Sequence, residues 1–256
     1  MSLNPKITDW QNRVVWLVGA SSGIGAATAL KMANLGATVI VSARREEQLA
    51  ALAAQSSQIQ TMPIDVNNLE QLHSVAQHIQ QQHGQIDVVM YCAGHYKPQS
   101  VLAFDLSEMK QHLAVNYTGF LHFVDACLPI LLQQGHGHLS MIASVAGYRG
   151  LPKALAYGPT KAAMQNLADV LYLELQSKSI AVSLINPGFV GTRMTAQNDF
   201  KMPALITPEQ AADEIVSGMA RGQFEISFSK RFTLWLKFLN LLPHRLYFKL
   251  IKAIAT

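Results

Sequence analysis

The chain contains little cysteine and little charge, and it has no long apolar run. Two of its 256 residues are cysteines, Cys92 and Cys127, and they lack the spacing of a metal motif or a disulfide framework, which favours the cytoplasm. No apolar run approaches the ~20 residues that span a bilayer. The first ten residues are polar and irregular, unlike a signal peptide. Charged residues make up 14% and apolar residues 50%, so the composition predicts a sizeable core and little disorder.

The net positive charge of the chain is confined to its C-terminus. Residues 229–256 contain no Asp or Glu, whereas the rest of the chain carries 14 basic and 16 acidic side chains. The body therefore shows no sign of a nucleic-acid-binding face, and no nucleic-acid partner is expected. The cations of the C-terminal segment are Lys230, Arg231, Lys237, Arg245, Lys249 and Lys252.

Short β-branched runs alternate with longer helical stretches along the body of the chain. This alternation, with strands that are apolar almost throughout, predicts an α/β fold: a doubly wound parallel sheet of the Rossmann type in a three-layer sandwich. No linker interrupts the pattern, so we expect a single domain over residues 1–228, followed by a basic amphipathic tail, 229–256. The predicted strands are 14–18, 37–43, 58–62, 86–91, 138–143, 180–185 and 224–228, and the longest predicted helices are 106–132 and 156–177.

A glycine-rich turn, Gly19-Ala-Ser-Ser-Gly23-Ile-Gly25, separates the first strand from the first helix. Glycines let the backbone approach a pyrophosphate, and the helix start supplies free N–H groups. The turn therefore predicts a dinucleotide site that includes Ser21, Ser22 and Ile24. The same residues also spell the G-x-S-x-G motif of serine hydrolases, with Ser21 as the nucleophile. Only one strand precedes this turn, which disfavours that alternative.

The end of the second strand indicates which dinucleotide is bound. A carboxylate normally stands there in sites for NAD, but this chain has Arg44 and Arg45. Two guanidinium groups suit a 2′-phosphate, so we expect NADP(H) rather than NAD(H). The alternative is that these arginines are solvated or held by nearby glutamates. After the third strand, Asp65 and Val66 are expected near the adenine, although helix capping near Asn67 explains the same polar residues equally well.

Tyr157 and Lys161 lie four residues apart at the start of a predicted helix, where Pro159 fits the first turn. Their side chains therefore share one face, and a nearby ammonium favours the phenolate form of a tyrosine. Ser144 ends the fifth strand, at the edge of the sheet where a cofactor crevice is expected. Its hydroxyl is suited to polarise a substrate carbonyl that Tyr157 protonates.

These motifs together resemble the short-chain dehydrogenase/reductase family over residues 13 to about 228. Each is weak alone, but their shared order and spacing are specific. Cys92 departs from the pattern, since the family usually has asparagine there. The matching residues are the turn Gly19–Gly25, Asp65, Cys92-Ala93-Gly94, Asn116, Ser144, Tyr157, Lys161 and Asn186-Pro187-Gly188.

The resemblance implies a role for each matching residue. Tyr157 is the general acid–base, and Lys161 holds the nicotinamide ribose and tunes the phenol. Ser144 orients the substrate oxygen, and Asn116 supports a proton relay through water to Lys161. The remaining cofactor contacts implied are Cys92, Ala93, Gly94, Pro187, Gly188, Val190 and Thr192.

Residues 189–206 are expected to form a substrate lid, with Phe189, Met194, Phe200 and Met202 on its inner face. Four residues after strand ends are expected to border the pocket. They are His95, Tyr96, Arg149 and Leu151.

Pro243 divides the tail into two short amphipathic helices. Such helices either pack on the domain or across a dimer, or lie on a membrane surface. The helices at 106–132 and 156–177 are expected to form the interface of a homodimer or homotetramer. The nine histidines show no metal spacing, so no metal is predicted.

The sequence therefore predicts an NADP(H)-dependent oxidoreductase that transfers a hydride between nicotinamide and a small-molecule ketone, aldehyde or secondary alcohol. The alternative is a non-catalytic NADP(H)-binding sensor or scaffold.

Overall fold

A computed structural model describes residues 2–198 and 202–255, apart from the side chains of Arg231, Ile254 and Ala255. Seven parallel strands form one sheet in the order β3-β2-β1-β4-β5-β6-β7. The strands are β1 (Val14–Val18), β2 (Thr38–Ser42), β3 (Ile59–Thr61), β4 (Val88–Tyr91), β5 (Gly137–Ile142), β6 (Ile180–Asn186) and β7 (Glu225–Ser227). The helices of the described residues are α1 (Gly23–Asn34), α2 (Glu46–Ala53), α3 (Leu69–His83), α4 (Leu106–Leu113), α5 (Gly119–Gln134), α6 (Tyr157–Leu175), α7 (Pro208–Ala220), α8 (Lys230–Asn240) and α9 (His244–Ala255).

The sheet is covered on both faces because its strands are apolar on both sides. In β1, Val14, Trp16 and Val18 pack in one core with α3, α5 and α6. Val15 and Leu17 point the other way, into a second core with α1, α2 and α7. The predicted doubly wound α/β sandwich is confirmed. From β1 the chain adds β2 and β3 on one side, and it then returns to place β4 on the other side of β1. This reversal opens a crevice at the carboxyl ends of these strands.

The first residues of the chain are irregular, as expected, and they pack into the domain. Asn4 is buried, and its Nδ2 donates to the carbonyl oxygen of Val182 in β6 at 2.7 Å. Ile7 and Trp10 are also buried, in the second core. The polar composition of this segment concealed three anchoring side chains.

The predicted helix 106–132 is divided by a turn of π-helix, Ala114–Thr118, between α4 and α5. By length and composition, the whole stretch Leu106–Gln134 could cross a membrane, and no other helix in the described part of the chain is both long and apolar enough. Half of its most apolar window is buried, with Phe120, Phe123 and Leu131 in the first core. The helical stretch is therefore a core element of this fold.

The C-terminal tail forms α8 and α9, separated at Pro243 as expected, and packs its inner face on the domain. Leu236, Leu239 and Tyr247 are buried and cluster with Val145, which follows the fifth strand. The tail thus contacts the loop that leads from β5 to α6.

Candidate active site

A cavity of about 400 Å³ opens at the carboxyl ends of the strands. Every residue predicted to bind the cofactor lines it: Gly19, Ser21, Ser22, Gly23, Ile24, Gly25, Arg44, Arg45, Asp65, Val66, Cys92, Ala93, Gly94, Tyr157, Lys161, Pro187, Gly188, Val190 and Thr192. Ser144 and Met194 line the same cavity, as do several residues that the sequence did not single out: Ala43, Ile64, Val115, Ile142, Ala143, Arg193 and Thr195.

The glycine-rich turn meets the requirements of a pyrophosphate cradle. Gly19 has φ +91°, and a Cβ at this position would lie 2.2 Å from the backbone nitrogen of Ala93, so no larger residue fits. Ser22 is the N-cap of α1, but its side chain makes no capping hydrogen bond. The first N–H groups of α1 are therefore available at the cavity wall for an anion.

Arg45 lies against this turn. Its Nη2 donates to the hydroxyl oxygens of Ser21 and Ser22, both at 2.9 Å. In the described part of the chain, neither Arg44 nor Arg45 forms an ion pair with the glutamates that begin α2. The arrangement also disfavours the hydrolase alternative, because the Ser21 hydroxyl is engaged by a guanidinium group.

The polar residues after β3 divide between two roles. Asn68 caps α3, since its Oδ1 accepts from the backbone N–H of Gln71 at 3.1 Å. Asp65 remains at the cavity, where its Oδ1 accepts from the backbone N–H of Asn67 at 3.0 Å. Capping therefore leaves Asp65 available at the expected adenine end.

Ser144 and Tyr157 meet across the cavity because β5 ends where α6 begins. The Ser144 side chain hydrogen bonds the Tyr157 phenol. Burial raises the pKa of Tyr157 to about 12, and the neighbouring Tyr96 also raises it, whereas the bond to Ser144 lowers it. At neutral pH the phenol of the protein alone is thus protonated.

Lys161 lies one helical turn after Tyr157 and is buried. Its Nζ donates to the carbonyl oxygen of Ile142 at 2.8 Å and lies 5.6 Å from the centre of the Tyr157 ring. Burial lowers the pKa of this ammonium to about 7. The two side chains share one site as predicted. The lowering of the phenol pKa was expected with a bound nicotinamide beside Lys161, so it stays a prediction, and in the protein alone burial raises this pKa.

Asn116 lies in the π-helical turn and is buried beside the cavity rather than at its wall. Its Oδ1 accepts from the backbone N–H of His95 at 2.7 Å, and its Nδ2 donates to the His95 carbonyl oxygen at 3.0 Å and to the Thr160 hydroxyl at 3.1 Å. Asn116 therefore ties the loop after β4 to α6.

Cys92 lies at the cavity and is packed against the glycine-rich turn. Its backbone N–H donates to the Val18 carbonyl oxygen at 2.7 Å, which continues the pairing of β4 with β1. Burial raises the pKa of its thiol to about 12, so the side chain is neutral. Replacement of the usual asparagine leaves this strand end intact.

A cluster beside Tyr157 was not visible in the sequence, because its members come from a loop and a separate helix. The Glu108 carboxylate contacts the rings of His95 and His112 and, at 3.3 Å, the ammonium of Lys97. His112 Nδ1 lies 2.8 Å from the Glu108 carbonyl oxygen, and its Nε2 accepts from the Lys97 N–H at 3.2 Å. His95, Glu108 and His112 have the donor types of a metal site, but these hydrogen bonds already engage both ring nitrogens of His112.

The described part of the segment expected to form a lid contacts the loop after β4, at one side of the cavity. The Tyr96 hydroxyl donates to Asn198 Oδ1 at 2.8 Å, and its ring lies 5.0 Å from that of Tyr157. Met194 approaches Gly94, and Met202 contacts the side chain of Asn198. Of the four side chains expected on the inner face, Met194 lines the cavity, Phe189 and Met202 do not, and Phe200 lies outside the described residues.

Arg149 was expected to border the pocket, but it does not line the cavity. Its Nη1 donates to the carbonyl oxygens of Leu239, Asn240 and Leu242, the last at 2.7 Å. Carbonyl groups at a helix end lack partners and attract a cation, which explains this placement. Leu151 is partly buried in the same loop but does not line the cavity.

Known proteins resemble this chain in sequence and fold. The family profile described as short chain dehydrogenase matches residues 13–202. An uncharacterized oxidoreductase of Staphylococcus aureus (strain MW2) is 31% identical over 212 residues, 82% of this chain and 92% of that protein. One from Myxococcus xanthus (strain DK1622) is 30% identical over 239 residues, 92% of this chain and 94% of that protein.

Solved structures share the fold at lower identity. A short chain dehydrogenase/reductase from Burkholderia phymatum in complex with NAD has a TM-score of 0.82 at 22% identity and covers 90% of this chain and 94% of its own. A short-chain type dehydrogenase/reductase from Mycobacterium ulcerans has a TM-score of 0.80, also at 22% identity, and covers 88% of this chain and 91% of its own. The chain is an oxidoreductase that belongs to the short-chain dehydrogenase/reductase family, whose members use a nicotinamide dinucleotide.

Proposed function

We propose that the chain is an NADP(H)-dependent oxidoreductase that interconverts a ketone or aldehyde with the corresponding alcohol. The observation that carries this proposal is the meeting of Ser144, Tyr157 and Lys161 in the cavity that also contains the glycine-rich turn. Titratable groups with shifted pKa values in a cleft are typical of catalytic sites.

The residues at the cavity suit a nicotinamide dinucleotide in two respects. The turn at Gly19 can pack against the backbone of Ala93 only while that residue has no side chain, and the uncapped start of α1 offers N–H donors to an anion. When bound, the nicotinamide ring supplies or accepts the hydride. Lys161 and Pro187 would border the nicotinamide half, and Asp65 the adenine half.

The protein's own groups handle the proton. In the direction of reduction, the Tyr157 phenol donates its proton to the substrate oxygen as negative charge develops there. The Ser144 hydroxyl donates a hydrogen bond to the same oxygen and orients it. A phenol is protonated at neutral pH and burial raises its pKa further, so Tyr157 is in the correct form to act as the acid.

Lys161 lowers the cost of forming the phenolate once the proton has left, since an ammonium favours a neighbouring anion. In the opposite direction the phenolate accepts the proton of the alcohol. Asn116 holds the loop after β4 against α6 and so fixes the position of Tyr157 relative to that loop.

Preference for NADP(H) rests on Arg44 and Arg45. Both line the cavity after β2, where a carboxylate would otherwise select the ribose 2′-hydroxyl. Arg45 is already oriented by two hydroxyl groups of the glycine-rich turn. A guanidinium in that position can bind a 2′-phosphate by charge-assisted hydrogen bonds.

The activity is tested by following NADPH and NADH oxidation with ketones and aldehydes of increasing chain length. We expect Tyr157→Phe to lower kcat by about 10²–10⁴-fold, because general acid catalysis is lost, while NADPH still binds. A parent protein that binds NADPH tightly but turns over no substrate in the screen would favour the sensor or scaffold alternative.

Cofactor preference is tested by titration of both dinucleotides. Arg45→Ala is expected to weaken NADPH binding by about 10–100-fold, the contribution of charge-assisted hydrogen bonds, and to leave NADH binding nearly unchanged. The matched control is Arg221→Ala, at an exposed arginine that donates to the Ser217 hydroxyl, and it should change the binding of neither dinucleotide. Tighter binding of NADH than NADPH by the parent would contradict the assignment.

We also propose that the protein is a homodimer or homotetramer. The outer faces of α4–α6 carry exposed apolar side chains, which include Leu113, Val170 and Leu173. Leu173 is 73% exposed, and Leu173→Glu should lower the mass measured by light scattering. A parent that is monomeric at micromolar concentration would contradict this proposal.

A further inference from the structure

The outer face of α8 carries a row of apolar side chains that nothing in the described chain covers. Leu234, Phe238 and Leu241 are 65%, 59% and 83% exposed and are spaced by four and three residues, so they lie on one side of the helix. Trp235 beside them is 41% exposed. A contiguous apolar row of this kind indicates an interaction surface.

The row does not result from loose packing of the tail. The opposite face of α8 is anchored by the buried Leu236 and Leu239, and at the edge of the apolar row the Lys237 ammonium is paired with Glu225 in β7. The helix therefore keeps a fixed orientation in which the apolar row points to solvent.

Helix α9 continues the surface and adds positive charge. Leu246 and Leu250 are exposed and lie one turn apart, while Tyr247 on the inner side is buried. Arg245 and Lys249 are exposed on another side of the helix. Residues 229–256 contain no acidic side chain, so the two helices themselves contribute cationic but no anionic groups to this surface, and Glu225 beside α8 is paired with Lys237.

We propose that the outer faces of α8 and α9 dock on an anionic lipid bilayer. Amphipathic helices with Trp, Phe and Leu on one face and Lys or Arg beside them lie in the membrane interface, and anionic headgroups attract such cations. The absence of acidic residues disfavours a second copy as the occupant, since pairing two such faces would bring like charges together. The family profile matches residues 13–202, so both helices lie beyond the matched residues.

The inner side of α8, behind the docking surface, contacts the segment expected to form the lid. Phe232 of α8 packs on Phe189 with ring centres 5.4 Å apart, and the Ser229 hydroxyl donates to the Ala204 carbonyl oxygen at 2.8 Å. Docking therefore brings the lid of the proposed catalytic cleft close to the bilayer. If the proposed oxidoreductase function holds, this position favours a lipid-soluble carbonyl compound or alcohol as substrate.

Docking is tested by flotation of the full-length protein with vesicles, which needs no catalytic activity. We expect binding to phosphatidylcholine vesicles that contain about one third phosphatidylglycerol, little binding to phosphatidylcholine alone, and release at high salt. The triple variant Leu234→Ser/Phe238→Ser/Leu241→Ser should bind at least about tenfold more weakly.

Arg245→Gln/Lys249→Gln should weaken binding by about thirtyfold, since each cation near an anionic surface raises the affinity for the membrane by about fivefold. The matched controls are Val101→Ser/Leu102→Ser, which changes apolar side chains 69% and 95% exposed on another surface, and Lys110→Gln/Lys178→Gln on the body. Both controls should float like the parent.

Thermal unfolding confirms that each variant is folded, and all the substituted side chains are exposed. Failure of the parent to float with anionic vesicles, or equal flotation of the triple variant, would overturn the proposal. A triple variant that floats normally but has a smaller mass by light scattering would show instead that this face joins two copies. Loss of flotation without loss of turnover on a short soluble ketone separates this proposal from the proposed function.

Discussion

Replacement of Arg149 by alanine tests how firmly the tail is held to the domain. The guanidinium donates through one nitrogen to the carbonyl oxygens of Leu239, Asn240 and Leu242, at 3.2, 3.2 and 2.7 Å. Its Cζ also lies 4.0 Å from the centre of the Tyr247 ring. A single side chain thus joins the end of α8 to the first turn of α9.

The expected loss follows from these contacts. One guanidinium nitrogen carries two hydrogens and serves two carbonyl groups at a time, so two charged hydrogen bonds of about 1 kcal/mol each are lost at this partly buried site. The cation–π contact adds about 1 kcal/mol. The free energy of unfolding should therefore fall by about 3 kcal/mol for Arg149→Ala. For a chain of this size, that corresponds to a melting temperature lower by roughly 6–12 °C.

Differential scanning calorimetry measures this change, and limited trypsinolysis reports release of the tail, which contains cleavable Lys and Arg residues. Arg149→Lys keeps the charge but not the planar group, so it should recover about half of the loss. Arg221→Ala, at an exposed arginine, should leave the melting temperature within about 1 °C of the parent. If Arg149→Ala melts with the parent and its tail is cleaved no faster, the anchoring argument is refuted.

Two further predictions concern the cavity. Gly19→Ala should lower the free energy of unfolding by more than about 3 kcal/mol, because its Cβ would meet the backbone of Ala93. Gly135→Ala, at φ +70° with nothing within 4 Å of the added Cβ, should lower it by about 1 kcal/mol. Chemical denaturation of both variants measures the difference. Burial lowers the pKa of Lys161 from 10.5 to about 7, so the unfolded chain binds more protons than the native protein between these values. The cofactor-free protein should therefore gain up to about 1.4 kcal/mol of stability per pH unit as pH rises from 7 towards 10. Urea midpoints that rise equally in Lys161→Met would contradict this assignment.

The elements and the catalytic residues could be predicted because they depend on local spacing and on sheet topology. Tyr157 and Lys161 share a helix, so their separation of four residues fixes their common face. Ser144 could be placed at the site because it ends a strand, and a cofactor crevice lies at the carboxyl ends of the strands of a parallel sheet. The glycines and arginines of the cofactor side lie directly after β1 and β2, where the same rule applies.

Contacts between distant segments were not predictable. Arg149 follows a strand end as other pocket residues do, and its carbonyl partners in the tail lie about ninety residues away. Glu108 meets His95 only because a turn of π-helix and the loop after β4 bring α4 beside the site. The raised pKa of Tyr157 depends on how completely the surrounding chain excludes water, which residue spacing does not encode.

The inner side of the tail packs on the domain and its outer side faces solvent, and this difference limits which variants are informative. Its inner side braces Val145, Tyr148 and Arg149, which belong to the segment joining Ser144 to Tyr157. Deleting the tail would therefore disturb the spacing of the reacting hydroxyl groups as well as any attachment to lipid. Substitutions on the outward side leave that brace untouched, so the location of the protein can be altered, in the laboratory or by drift, while its chemistry is retained.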